Sequence, residues 1–168
     1  MKKSIPSATQ QINVVTIFDV DRAIRNSSPE HAYYLMDNSI GSNGQASPEL
    51  STCCVPGQTI NWLIYAMESA RRPDGSWPPM ARFVNIVFTN KDGSVRGDIV
   101  CESLNIYGAP DRIRTQLDPV YWYWAGTLWE DLQEGEYFYR IVVECETETR
   151  NKRYFNLEGP SLQVIGPD

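Results

Sequence analysis

The feature that most constrains this chain is a pair of aromatic, β-branched arms between Val120 and Cys145. The first runs from Val120 to Leu128 and contains Tyr121, Trp122, Tyr123 and Trp124. The second runs from Glu136 to Cys145. Both have the composition that a pleated, half-buried surface favours, and the link between them is polar and carries Gly135. The local pattern predicts a β-hairpin. In the second arm Tyr137, Tyr139, Ile141, Val143 and Cys145 fall on one face, with Arg140, Glu144 and Glu146 on the other, so one face is expected to meet a core and the other water. In the first arm Val120, Trp122, Trp124 and Leu128 share one face and Tyr121, Tyr123 and Trp129 the other. A strand apolar on both sides either lies centrally in its sheet or presents aromatics to a partner.

The rest of the chain reads as further strands. Ile12 to Val20 is a β-branched run suited to an interior strand, and the residues from Asp19 to Arg25 form at most one helical turn. Ala32 to Met36 is a short strand, followed by a polar loop from Asp37 to Pro48 that is dense in turn residues. Leu50 to Val55 is another short strand. Thr59 to Met67 is apolar enough on both faces to be central. Phe83 to Thr89 and Val95 to Glu102 flank an Asn90-Lys-Asp-Gly turn and predict a second hairpin. Tyr154 to Leu157 and Ser161 to Ile165 close the chain. About nine strands with turn signals at regular spacing, and no amphipathic helix, predict an all-β fold: an antiparallel two-sheet β-sandwich of jelly-roll or Greek-key type. The expected organisation is a flexible tail over residues 1–11 and a single domain over 12–168, a length that sustains one core without disulfides or metals.

Charge and motifs narrow the function. The net charge of −6 repels phosphate backbones and anionic membrane surfaces, so neither nucleic acid nor membrane is an expected partner. Two lysines open the chain, but no apolar run follows them, and no stretch has the length of a membrane span, so the expectation is a cytoplasmic protein. The four cysteines, Cys53, Cys54, Cys101 and Cys145, lack metal-ligand spacing and are expected to be plain thiols. His31 is the single histidine and has no nucleophile motif near it. Phosphate-cradling and dinucleotide-binding glycine patterns are absent, so the sequence predicts neither a cofactor nor catalysis.

Two candidate sites remain. Asp19, Asp21 and Asp37 are calcium candidates if one edge of the sheet gathers them, although an Asp at a strand end is more commonly a helix cap. Trp77, Tyr121, Tyr123 and Trp129 are the candidate exposed aromatics. They would serve a subunit contact in a homodimer or larger homo-oligomer, or stack on sugar rings as in lectin-like sandwiches.

Several runs, in order, resemble the AidA/PixA inclusion body protein family of bacteria: Ile12 to Asp21, Ala32 to Asn38, Gly44 to Leu50, Pro56 to Trp62, Tyr121 to Leu128 and Gly135 to Val143. Together they span most of the chain. The run from Arg153 to Pro160 departs from the Trp-Asp-Pro type of ending associated with the family. The resemblance implies a small, non-enzymatic cytoplasmic protein that accumulates to high levels, in some cases as inclusions, and self-associates. It implies no catalytic residues. The alternative is a small-ligand or carbohydrate-binding sandwich.

Overall fold

A computed structural model describes residues 11–67, 81–108, 123–147 and 151–166. The described residues form ten strands and one short helix in the order β1 (Ile12–Asp19), α1 (Val20–Asn26), β2 (Tyr33–Asp37), β3 (Ser51–Cys54), β4 (Thr59–Met67), β5 (Ala81–Thr89), β6 (Cys101–Tyr107), β7 (Tyr123–Leu128), β8 (Gly135–Glu146), β9 (Lys152–Leu157) and β10 (Ser161–Val164). They form two facing sheets. Sheet A has the order β2-β1-β4-β7-β6. Sheet B has the order β3-β10-β8-β5, with β9 also paired to β8. β8 is long enough to take two partners along one edge, β10 over Gly135 to Phe138 and β9 over Ile141 to Glu146.

The all-β, two-sheet expectation is met, but the sheets are mixed rather than purely antiparallel. β1 pairs in parallel with β4, and β3 with β10. A parallel pair needs a long crossover, and the chain supplies one in each case: the residues between β1 and β4 visit α1, β2 and sheet B before returning.

Neither expected hairpin forms. β7 lies between β4 and β6 in sheet A, whereas β8 lies in sheet B. After Leu128 the chain turns, with the Leu132 N–H donating to the Trp129 carbonyl, and half-buried Leu132 packs against the core. Both arms carry an apolar inward face, and placing them in opposite sheets lets those faces meet each other; in one sheet they would lie side by side. The Trp124 indole spans the gap by donating to the Phe83 carbonyl of β5 at 3.1 Å. Likewise the turn at Asn90 forms, with Gly93 at φ 84° and a bridge from Thr89 to Val95, but the chain then leaves for sheet A and regular pairing resumes only at Cys101.

The core follows the alternation read from the strands. Ile12, Val14, Thr16 and Phe18 of β1, Ile60, Trp62 and Ile64 of β4, and Tyr137, Tyr139, Ile141, Val143 and Cys145 of β8 all point inward and are buried. Trp62 is at the centre, edge-on to Tyr139 (5.7 Å between ring centroids) and Phe88 (6.5 Å). Such aromatic pairs contribute about 0.5–1.5 kcal/mol beyond the area they bury.

α1 has seven residues, about two turns rather than the single turn expected, and is capped at both ends. Asp19 accepts a hydrogen bond from the Arg22 N–H, and Ser27 closes the turn in the left-handed conformation. The polar loop after β2 is pinned rather than loose. Asp37 accepts from Ser39 N–H and Gln45 Nε2, Ser42 Oγ accepts from Cys53 N–H, and Asn43 bridges to Ser51. Gly44 is required there: its φ is +72°, and a Cβ would sit 2.5 Å from the Glu49 carbonyl oxygen.

Candidate functional site

The inward faces of both sheets are consumed by the core, so chemistry is left to the outer faces, and sheet A has the unusual one. Register places its outward residues in rows that cross the strands. Thr59 lies opposite Thr127, with Glu102 beyond it on β6, and the two threonine hydroxyls are hydrogen-bonded at 3.0 Å. The next row is Asn13, Asn61 and Ala125, and the one after it is Met36, Val15, Leu63, Tyr123 and Tyr107. A fourth row is Tyr34, Ile17 and Tyr65. An outward face normally alternates to polar residues, yet here Tyr34, Met36, Tyr65 and Met67 are all exposed, Tyr65 by 50% and Met36 by 46%.

Between the threonine row and the tyrosine row the surface sinks into a hollow of ≈ 370 Å³. The dip has a residue-level cause. Ala125 puts only a methyl group where its neighbours carry an amide or a phenol. β6 also bulges between Glu102 and Asn105, with Ser103 at φ 53°. Bulges of this kind commonly re-aim side chains beside sites. One wall is aromatic: the rings of Tyr107 and Tyr123 stack at 5.7 Å and 23°, and the Tyr107 hydroxyl is tied back to the Ser103 carbonyl at 3.0 Å. The opposite side is amide. Asn61 Nδ2 donates to Asn13 Oδ1 at 2.9 Å and to Gln11 Oε1 at 3.2 Å, while the Asn13 N–H donates to Asn38 Oδ1. None of the lining side chains is charged.

The sequence candidates are distributed unevenly about this hollow. Tyr123 is in its wall. Trp129 is exposed just past the end of β7, outside the hollow, and Trp77 and Tyr121 lie outside the described residues. The calcium candidates are not brought together. Asp19 caps α1, and Asp21 pairs with Arg25. Asp37 lies opposite Val14, five residues along β1 from Asp19, or about 17 Å at strand spacing. Among the described residues no cluster of three or more His, Cys, Asp or Glu side chains is placed to hold a metal.

Sequence reasoning missed Asn13, Asn61 and Tyr107. Asn61 did carry a signal: it is a carboxamide on the outward side of an otherwise apolar central strand, and it is buried despite that. Nothing in the sequence linked it to Tyr107, which arrives from a strand more than forty residues away.

Of the remaining reactive groups, the Cys54, Cys101 and Cys145 thiols are poor nucleophiles. All four cysteines are free thiols. Burial pushes the Cys101 and Cys145 thiols up to about 12 and Cys54 higher still, so thiolate is scarce at neutral pH. His31 is on the surface with its ring 83% exposed, 3.6 Å from Glu30. No described helix is long and apolar enough to cross a membrane.

Comparison with known proteins yields a partial sequence match and a full-length structural one. Residues 10–72 match a family model described as a domain of unknown function, DUF8788. None of the curated proteins matches the chain significantly. Among solved structures, the crystal structure of the inclusion body protein PixA from Burkholderia cenocepacia J2315 superposes with a TM-score of 0.64 at 11% identity, over 98% of this chain and 100% of that one. The resemblance first read from strand motifs is thus carried by the whole architecture, and the chain has the fold of the PixA inclusion body protein.

Proposed function

We propose that this is a non-enzymatic, cytoplasmic protein of the inclusion body type, which accumulates and associates with itself through the outer face of sheet A. The observation that carries this reading is the exposed apolar stretch of that face. Tyr34, Met36, Tyr65 and Met67 stand out from half-buried Val15, Ile17 and Leu63 and form a contiguous surface on three adjacent strands. Contiguous apolar patches on a folded protein mark contact sites, and tyrosine and methionine are over-represented at the centres of interfaces. Closure about a two-fold axis is the commonest way for such a patch to cover itself, since each copy presents the same rows to the other. The fold shared with an inclusion body protein agrees with this reading. So do the raised pKa values of the Cys54, Cys101 and Cys145 thiols, which leave little thiolate at those three positions at neutral pH.

Sedimentation velocity over a dilution series from high to low micromolar concentration tests the association. The weight-average sedimentation coefficient should fall on dilution, or remain at that of a dimer or larger assembly. A monomer at every concentration would refute self-association.

A further inference from the structure

We propose that the hollow on sheet A is a binding site for a neutral, polyhydroxylated ring, chemically a sugar residue of a glycan. The hollow lies toward the β6 and β7 side of that face and shares Leu63 alone with the contact rows on β2, β1 and β4. Its lining poses three requirements at once. The stacked Tyr107 and Tyr123 offer an aromatic wall, held in place by the Tyr107 hydroxyl bond to Ser103, against which a ring with an apolar C–H face can lie. Across the floor of Ala125 stand carboxamides and hydroxyls. Asn61 uses its NH2 on Asn13 and Gln11, so the group it brings to the lining as an acceptor is its carbonyl oxygen. Asn13 uses its oxygen to receive that bond and keeps its own NH2 as a donor. A donor and an acceptor side by side match a hydroxyl group, which does both.

Each alternative class conflicts with one of these features. A carboxylate or phosphate would be desolvated with no cationic side chain in the lining, on a chain whose net charge is already −6. A cation would meet no carboxylate there. A purely apolar ligand would bury the remaining donor of Asn13 and the remaining acceptor of Asn61 with nothing to bond, which costs more than the contact gains. A ring with one apolar face and several hydroxyls conflicts with none of them. The volume of ≈ 370 Å³ is at the small end for ligand sites and fits a ring-sized group.

The test is an array of neutral and acidic glycans read with the labelled full-length protein, followed by calorimetric titration with the methyl glycosides of the sugars that score, and with adenosine as a neutral aromatic control. The expected result is saturable binding to one or more neutral glycans. Affinity should fall about tenfold or more in Asn13→Ala and in Tyr107→Ala, the size of one lost hydrogen bond or ring contact. Both positions are at the surface, and an unchanged circular dichroism spectrum verifies folding. Asn156→Ala on the other sheet should bind as the unmodified protein does. No binding at millimolar sugar, binding only to acidic glycans, preference for adenosine, or retention of affinity in both variants would each overturn the assignment.

Discussion

On the outer face of sheet B, Glu144 of β8 lies between Arg82 of β5 and both Lys152 and Tyr154 of β9, at 2.7, 3.3 and 2.8 Å. On the outer face of sheet A, the rows through Val15, Leu63 and Asn61 carry no charged side chain at all. Both faces are outward sides of sheets in the same sandwich, yet one satisfies itself and the other does not. The carboxylate of Glu144 stitches three strands together and is itself only 8% exposed, so a residue that alternation assigns to the wet side ends up covered by its own partners. Sheet A leaves phenol rings, thioethers and amides facing outward without such closure. The difference teaches that on a face already stitched by its own ions there is little left to offer a partner, whereas uncharged rows with a dip between them can give up their water to another molecule at small electrostatic cost.

The comparison presupposes that both faces lie over one interior, and the largest expected effect tests that. Trp62 of sheet A is fully buried against Tyr139 and Phe88 of sheet B. Trp62→Ala should cost about 3–5 kcal/mol in urea-unfolding experiments. A loss under about 1 kcal/mol would mean that the two sheets do not share that core in solution.

A smaller effect isolates the charged face. Desolvation works against ionised Glu144, but hydrogen bonds from Tyr154 and Lys152 and the Arg82 charge outweigh it and hold the carboxyl below its ordinary value of 4.5. A carboxyl with a lowered native pKa stabilises the fold fully above its unfolded value, and that contribution disappears as the pH falls through the native one. Glu144→Gln should therefore cost about 2 kcal/mol at neutral pH, the scale of lost hydrogen bonds to a charged group. The gap between the two proteins should close only below about pH 4.5, in a series of urea titrations from neutral to acid. A gap that is constant across that range would show that the charge on Glu144 contributes nothing and that the two faces differ less than their residues suggest.

How far the sequence anticipated these faces can be seen residue by residue. The burial side of β1, β4 and β8 was legible because their apolar residues recur with period two and each has neighbours on both edges. Asp19 was legible as a cap because it directly precedes a helical turn. Sheet membership was not. A short polar link between two apolar arms reads as a hairpin on local grounds, and only the packing of their inward faces across one interior, where Trp124 reaches Phe83 and Tyr139 meets Trp62, sets β7 and β8 in different sheets. The parallel pairing of β1 with β4 is likewise invisible to any local pattern, since it joins residues about 48 positions apart. The hollow was half legible. Tyr123 stood out as an outward aromatic, but the amides opposite it come from Asn13 and Asn61, and a dip made by the small side chain of Ala125 and a bulge in β6 is a property of neighbouring strands that no single strand encodes.

The smallest expected effect on stability carries the sharpest contrast between the faces. Tyr65 lies on β4 beside Ile17, half exposed, and Asn156 lies on β9 beside Val142, also exposed. Replacing either with glutamate puts one new charge on an outward strand position, and neither removes a buried group, so each change should alter unfolding stability by no more than about 0.5 kcal/mol. Their effects on assembly should differ. At Tyr65 the carboxylate would be trapped against the apolar rows of a second copy with no cation to meet it, and burying an unpaired charge costs far more than losing one phenol contact. At Asn156 it would remain in water. Light scattering at matched concentrations should therefore show Tyr65→Glu shifted toward the monomer mass and Asn156→Glu unchanged. If the mass falls in Asn156→Glu and not in Tyr65→Glu, the contact belongs to sheet B, and the stitched face rather than the uncharged one is where copies of this chain meet.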